Sequence, residues 1–304
     1  MMARADPPAN VAKLDHAGVI QGLGAYAICG LLPLYFWLLQ GVGAGEVVAL
    51  RVLWSVALLV VLTLALRRAP QLLAALHNPR ALGLLALSAA LISANWLVYI
   101  WAIHHGHVLE TSLGYFLNPL VNVLIGVVIL RERLGLAQLV AIAFAAVGVA
   151  VLATGAGQGI WISLALALSF GFYGFVRKVA PVESLEGLTI ETALLAPLAA
   201  GYLLWLSGHA PLGFGQNAQW TVALALAGVV TATPLLLFAA AARRLPYSTL
   251  GLLQYLAPTL QFILAVTFFG EHMTTAHAIC FGLIWTGLAI FALHGTIVAR
   301  RRVT

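Results

Sequence analysis

Long apolar runs separated by short polar segments set the pattern of this chain. Ten of them reach the roughly 20 residues that a helix needs to cross about 30 Å of hydrocarbon. They fall near residues 17–39, 45–66, 80–102, 108–130, 135–154, 158–178, 188–207, 218–241, 247–269 and 275–296. The connections are short, the longest running from about 67 to 80, and leave no room for an extramembrane domain. The first sixteen residues are polar, and the apolar run after them exceeds the 7–15 residues of a signal-peptide core, so it is read as the first span. The pattern predicts a protein that acts within or across a bilayer.

The cations give these spans a direction. Arg4 and Lys13 precede span one, Arg67, Arg68 and Arg80 follow span two, and Arg131 and Arg133 follow span four. Arg177 and Lys178 end span six, Arg243 and Arg244 end span eight, and Arg300, Arg301 and Arg302 close the chain. The opposite loops, around 40–44, 103–109, 155–157, 208–217 and 270–274, hold no lysine or arginine. Positive loops remain cytoplasmic, so both termini are expected on that side. The one cation outside this scheme is Arg51, inside span two.

Within the runs there is a repeat. TSLGYFLNPLVNVLIGVVILRE at 111–132 is echoed by STLGLLQYLAPTLQFILAVTFFGE at 248–271. Pro119 and Pro258, Asn122 and Gln261, Glu132 and Glu271, and Gly148 and Gly287 all lie 139 residues apart. Five spans per half is an odd number, so the second half enters the bilayer from the other face. The expected fold is therefore an all-α integral membrane protein of ten transmembrane helices, arranged as two inverted five-helix repeats, an architecture that recurs in secondary transporters. The expected division is a tail at 1–16, a first repeat at 17–154, a second at 158–296 and a tail at 297–304, with both tails cytoplasmic.

Several strings also carry a family resemblance. SLGYFLNPLVN at 112–122, SFGFYGFVRK at 169–178, IETALLAP at 190–197, NWLVYIWAI at 95–103 and the long stretch 234–262 resemble the RarD group, the chloramphenicol-sensitive proteins of the EamA-like drug/metabolite transporter superfamily. The similarity covers nearly the whole chain. It implies ten spans in two halves, a bacterial inner-membrane location and transport activity, but no substrate. His104 stands where the group's pattern has an asparagine.

Composition supports the same solvent. With 62% hydrophobic and 8% charged residues and a mean hydropathy of +1.03, the chain is far from soluble domains, which are roughly 25% charged. The net charge of +6 comes from small clusters at span ends, which argues against nucleic acid. Cys29 and Cys280 both fall inside spans and are read as core residues. Without the hydrolase, zinc-protease or phosphate-loop motifs, and with only His104, His105 and His107 clustered, the chain is expected to be no enzyme and to need no metal or cofactor.

Candidate chemistry concentrates at the repeated proline spans. Tyr115, Asn118 and Asn122 are spaced to share one helix face, and Pro119 leaves the Tyr115 carbonyl without its usual donor. Gln254 and Gln261 lie seven apart, with Pro258 freeing the Gln254 carbonyl. Both spans are expected to break at these prolines. Polar groups are costly against lipid, so these side chains should line a water-filled cavity or bond to neighbouring helices. Asn95, Tyr173, Arg51 and Glu191 complete the candidates, Glu191 either carrying substrate or protons or pairing with Arg177 or Lys178. The expected function is a secondary transporter of small organic metabolites or drugs, the alternative a ligand-sensing receptor. The partners it admits are a small-molecule substrate, the bilayer, protons through Glu191 and a second copy of the chain.

Overall fold

A computed structural model describes residues 15–105, 107–154, 159–270 and 275–300. Glu271, Arg301 and Arg302, and the chain before Asp15, lie outside the described residues. In order, the helices are α1 (His16–Trp37), α2 (Ala44–Ala65), α3 (Ala69–Leu76), α4 (Pro79–His104), α5 (Val108–Val128), α6 (Leu136–Ala153), α7 (Ile160–Val179), α8 (Ser184–Ser207), α9 (Ala218–Arg244), α10 (Tyr247–Gln254), α11 (Leu256–Thr267) and α12 (Thr275–Arg300). Among the described residues there is no strand. Ten segments are long and apolar enough to span a membrane, with α10 and α11 together making one of them.

Local chemistry fixes several helix starts. Asp15 caps α1 by accepting from the N–H groups of Ala17 (2.9 Å) and Gly18 (3.2 Å), satisfying donors that a helix start leaves orphaned. Asn217 does the same for α9 by accepting from Trp220 N–H at 2.7 Å. α10 is capped from elsewhere in the chain: the Glu132 carboxylate accepts from the N–H groups of Tyr247 (2.5 Å) and Ser248 (2.9 Å). On the outer surfaces Ile20, Leu136, Leu198 and Leu204 stand exposed, as side chains covered by acyl chains do.

The inverted repeat is visible in reciprocal crossings. A Cβ added at Gly148 on α6 would lie 3.0 Å from the carbonyl oxygen of Cys280 on α12, and one at Gly287 on α12 would lie 2.9 Å from that of Ala141 on α6. Adding 139 to 141 and 148 gives 280 and 287, so one contact is made twice with the halves exchanged, as a two-fold axis requires. A looser counterpart is seen for α1 and α7, where Gly30 and Gly171 lie 141 residues apart. A Cβ at Gly30 would meet Leu260 Cβ at 2.7 Å, and one at Gly171 would meet Val121 Cγ1 at 2.6 Å, Val121 being 139 residues before Leu260. Helix neighbours follow suit: α1 packs on α9 and α11, and α7 on α4 and α5, with α2 on α8 and α6 on α12.

One element is added and one expectation is corrected. The 67–80 connection contains a helix, α3, which begins with a proline in its first turn. The two proline spans also behave differently. Span nine interrupts at Tyr255, whose N–H reaches Leu252 O (3.3 Å) rather than a residue four back. Pro258 thereby becomes the third residue of α11, in the first turn where a missing N–H is tolerated. Pro119 instead lies inside α5, which runs unbroken from Val108 to Val128. A membrane helix can carry the loss of one such bond when neighbours enclose it, and α5 is the most enclosed of the spans.

Candidate functional site

Where α5 crosses α10 and α11, the repeated residues meet. A Cβ on Gly251 would lie 2.7 Å from the Pro119 carbonyl, so the two backbones approach closely there. Beside this crossing the Asn122 Nδ2 donates to Gln254 Oε1 at 2.6 Å, and both side chains are buried. Asn118 is buried too, and its Oδ1, like that of Asn122, has no partner among the described residues. On the other side of the crossing Tyr115 is 41% exposed and faces a cavity of about 160 Å³ that it shares with Gln261, Ser112, Pro258 and Phe281. Gln261 Nε2 donates to the Cys29 carbonyl at 3.2 Å.

The 139-residue offset links these two places. Tyr115 corresponds to Gln254, and Asn122 to Gln261. The structure therefore shows one residue pair twice: joined and sealed at Asn122–Gln254, parted around a cavity at Tyr115–Gln261. The sealed pair lies toward the helix ends that carry the arginines. The cavity lies near the start of α5, the end of α11 and the start of α12, at the arginine-free end.

Arg51 sits seven residues into α2. Its Nε donates to Thr231 Oγ1 at 2.8 Å, and its guanidinium lies over the rings of Phe36 (5.4 Å) and Trp96 (5.5 Å). Tyr99 stands edge-on to Tyr115 at 6.1 Å, connecting this aromatic nest to the cavity wall. Asn95 is engaged between helices, its Nδ2 donating to Leu166 O and Ser169 Oγ, both at 2.9 Å.

Charges close the arginine-bearing end. Arg177 and Glu191, both buried, pair at 3.4 Å. Ser88 Oγ also donates to Glu191, and the Tyr173 ring is buried beside this pair. Arg177 Nη2 reaches the Ser184 carbonyl at 3.0 Å. Around this core Arg68 meets Glu186 at 2.6 Å, Arg243 meets Glu183 at 2.9 Å and Arg244 meets Asp15 at 3.2 Å. Lys178 Nζ donates to the carbonyls of Ala242 (2.8 Å) and Leu245 (2.6 Å) at the end of α9. Of the two partners considered for Glu191, the structure selects Arg177.

The model of the EamA-like transporter family matches this sequence twice, over residues 16–154 and 157–293. The chain belongs to the EamA-like transporter family. Within it the chain falls in the RarD group. It is 44% identical to protein RarD of Escherichia coli over 95% of this chain and 98% of that one. It is 47% identical to protein RarD of Streptomyces exfoliatus, covering 94% and 91%, and 46% identical to an uncharacterized transporter of Pseudomonas aeruginosa, covering 93% and 96%. A solved crystal structure of another protein superposes with a TM-score of 0.71 over 91% of this chain and 98% of that one, at 23% identity. That likeness bears on the fold alone.

Three residues that sequence reasoning passed over adjoin the candidate residues. Thr231 orients Arg51, Ser88 holds Glu191, and Gly187 leaves room for the Arg177 guanidinium, which a Cβ there would strike. Phe36 and Trp96 carried no signal beyond aromaticity. Only their distance from Arg51 in space gives them a role.

Proposed function

We propose that this RarD-group protein is a secondary transporter of small organic solutes that works by alternating access. It sits in the bacterial inner membrane with its arginine-bearing end and both termini cytoplasmic. One observation carries the reading: the pair related by the repeat is joined at Asn122–Gln254 and parted at Tyr115–Gln261. In an inverted repeat, exchanging the conformations of the halves exchanges which end is open. The parted pair then closes as the joined pair opens, and the cavity passes from the periplasmic to the cytoplasmic side. The ion pairs around Arg177 and Glu191 support a cytoplasmic end that is closed in this conformation.

Partnered by Arg177 and Ser88, Glu191 fits a structural role better than proton carriage. Uptake indifferent to an imposed pH gradient is expected. Solute exchange into proteoliposomes, screened with a metabolite pool, tests the transport reading. Saturable exchange is expected in the wild type, with a loss of tenfold or more in Asn122→Ala, Gln254→Ala and Gln261→Ala proteins that still fold. Wild-type exchange in all three would overturn the site, and saturable binding without exchange would make the protein a receptor.

A further inference from the structure

We propose that the solute is an organic anion and that Arg51 receives its carboxylate, a reading that rests on the transporter assignment above. A guanidinium presents its donors in a planar fork that matches a carboxylate two-to-two. Here only Nε is used, on Thr231. Nη1 and Nη2 make no hydrogen bond with the described residues. The guanidinium also lies over the rings of Phe36 and Trp96, and with the bond to Thr231 these contacts position the fork.

Among the described residues no carboxylate competes for the fork. Every carboxylate among the described residues is engaged elsewhere: Asp15 with Arg244, Glu46 with the N–H groups of Gly213 and Phe214, Glu110 with His107, Glu132 with the start of α10, Glu183 with Arg243, Glu186 with Arg68 and Glu191 with Arg177. A cation inside an apolar span needs a partner or water, and here the fork is left for something from outside. Phe36 and Trp96 beside the guanidinium, and Tyr99 paired edge-on with Tyr115 at 6.1 Å, make the surroundings aromatic. They suit a carboxylate attached to a flat or apolar body.

Equilibrium binding to the full chain in phosphatidylcholine nanodiscs tests this with benzoate and phenylacetate against their neutral amides. At least one acid should bind saturably, tenfold or more tighter than its amide. Arg51→Gln should erase that preference, and Arg51→Lys should weaken it, because a point charge lacks the fork. The lysine variant decides if the glutamine variant does not fold. Equal binding of acid and amide, no binding of either acid, or an unchanged preference in the variants would overturn the proposal. Phosphatidylglycerol nanodiscs separate the other source of an anion: abolition of acid binding there would mean that Arg51 holds a lipid headgroup, and overturns a soluble substrate. Acid binding without exchange in proteoliposomes would leave Arg51 as assigned and sink the transporter reading. Exchange of neutral solutes alone, intact in Arg51→Gln, would do the reverse.

Discussion

At the scale of single residues, the chain uses its charges in two ways that only their surroundings distinguish. Arg51 and Glu191 occupy comparable depths in related spans, yet Glu191 is tied to Arg177 and Ser88 while Arg51 has a hydroxyl and two rings. Removing one partner of a buried ion pair strands the other and costs about 3–5 kcal/mol. Arg177→Ala should therefore lower the melting temperature of the purified protein far more than Arg51→Gln does. Gly187→Ala should mimic it, since its methyl group would occupy the space of the guanidinium. At the membrane boundary Asp15 gives a pH signature. Its carboxyl is held below the ordinary value chiefly by the Gly18 N–H, with the N–H of Ala17 and the Arg244 guanidinium adding to it. A depressed pKa contributes stability above the unfolded value of about 3.9 and loses it as pH falls through the folded value. The stability gap between wild type and Asp15→Asn should be constant from neutral pH to about 4 and close below it in thermal melts.

At the scale of elements, the fixed scaffold is the α6–α12 crossing, where Gly148 and Gly287 admit the opposing backbone. Overpacking such a contact costs about 1–3 kcal/mol. Because the contact is made twice, Gly148→Ala and Gly287→Ala should destabilise by similar amounts in thermal unfolding, and a marked inequality would argue against the symmetry. Elements of this kind were legible in the sequence. Ten apolar runs are a length signal that needs no tertiary context, and the spacing of 139 between Gly148 and Gly287 already stated the symmetry. Helix α3 was hidden because eight residues between arginines carry no span signal. The interruption at Tyr255 but not at Pro119 was hidden because a proline reports one missing donor, whereas the outcome depends on how the surrounding helices enclose it. Of the candidate residues, the polar face of span four was readable from spacing. That Asn122 would be sealed while Tyr115 stays open follows from which conformation the halves adopt, and no single helix encodes that.

At the scale of the whole molecule, the proposed alternation can be tested on the contacts that the two halves make with each other. On the proposed cycle the α6–α12 crossing stays, while the arginine-bearing end must release the Asn122–Gln254 hydrogen bond, of a kind that contributes about 0.6 kcal/mol on average inside membranes, together with the close α5–α10 approach and the ion pairs beside it. If the halves exchange conformations, the contacts released around Asn122–Gln254 are replaced by their counterparts around Tyr115–Gln261. Two such states can lie within a few kcal/mol of each other, close enough for a solute to shift the balance. In a background of Cys29→Ala and Cys280→Ala, cysteines at 122 and 254 should be joined readily by a short bifunctional thiol reagent in the resting protein, the yield of the link being the readout because substitution at either position already lowers exchange. Cysteines at 115 and 261 should stay unlinked in the resting protein and be joined in rising yield as solute is added. A four-cysteine protein in which both links form in the same molecule at once would show that the two pairs do not alternate, and that the symmetry of the fold is architectural rather than mechanical.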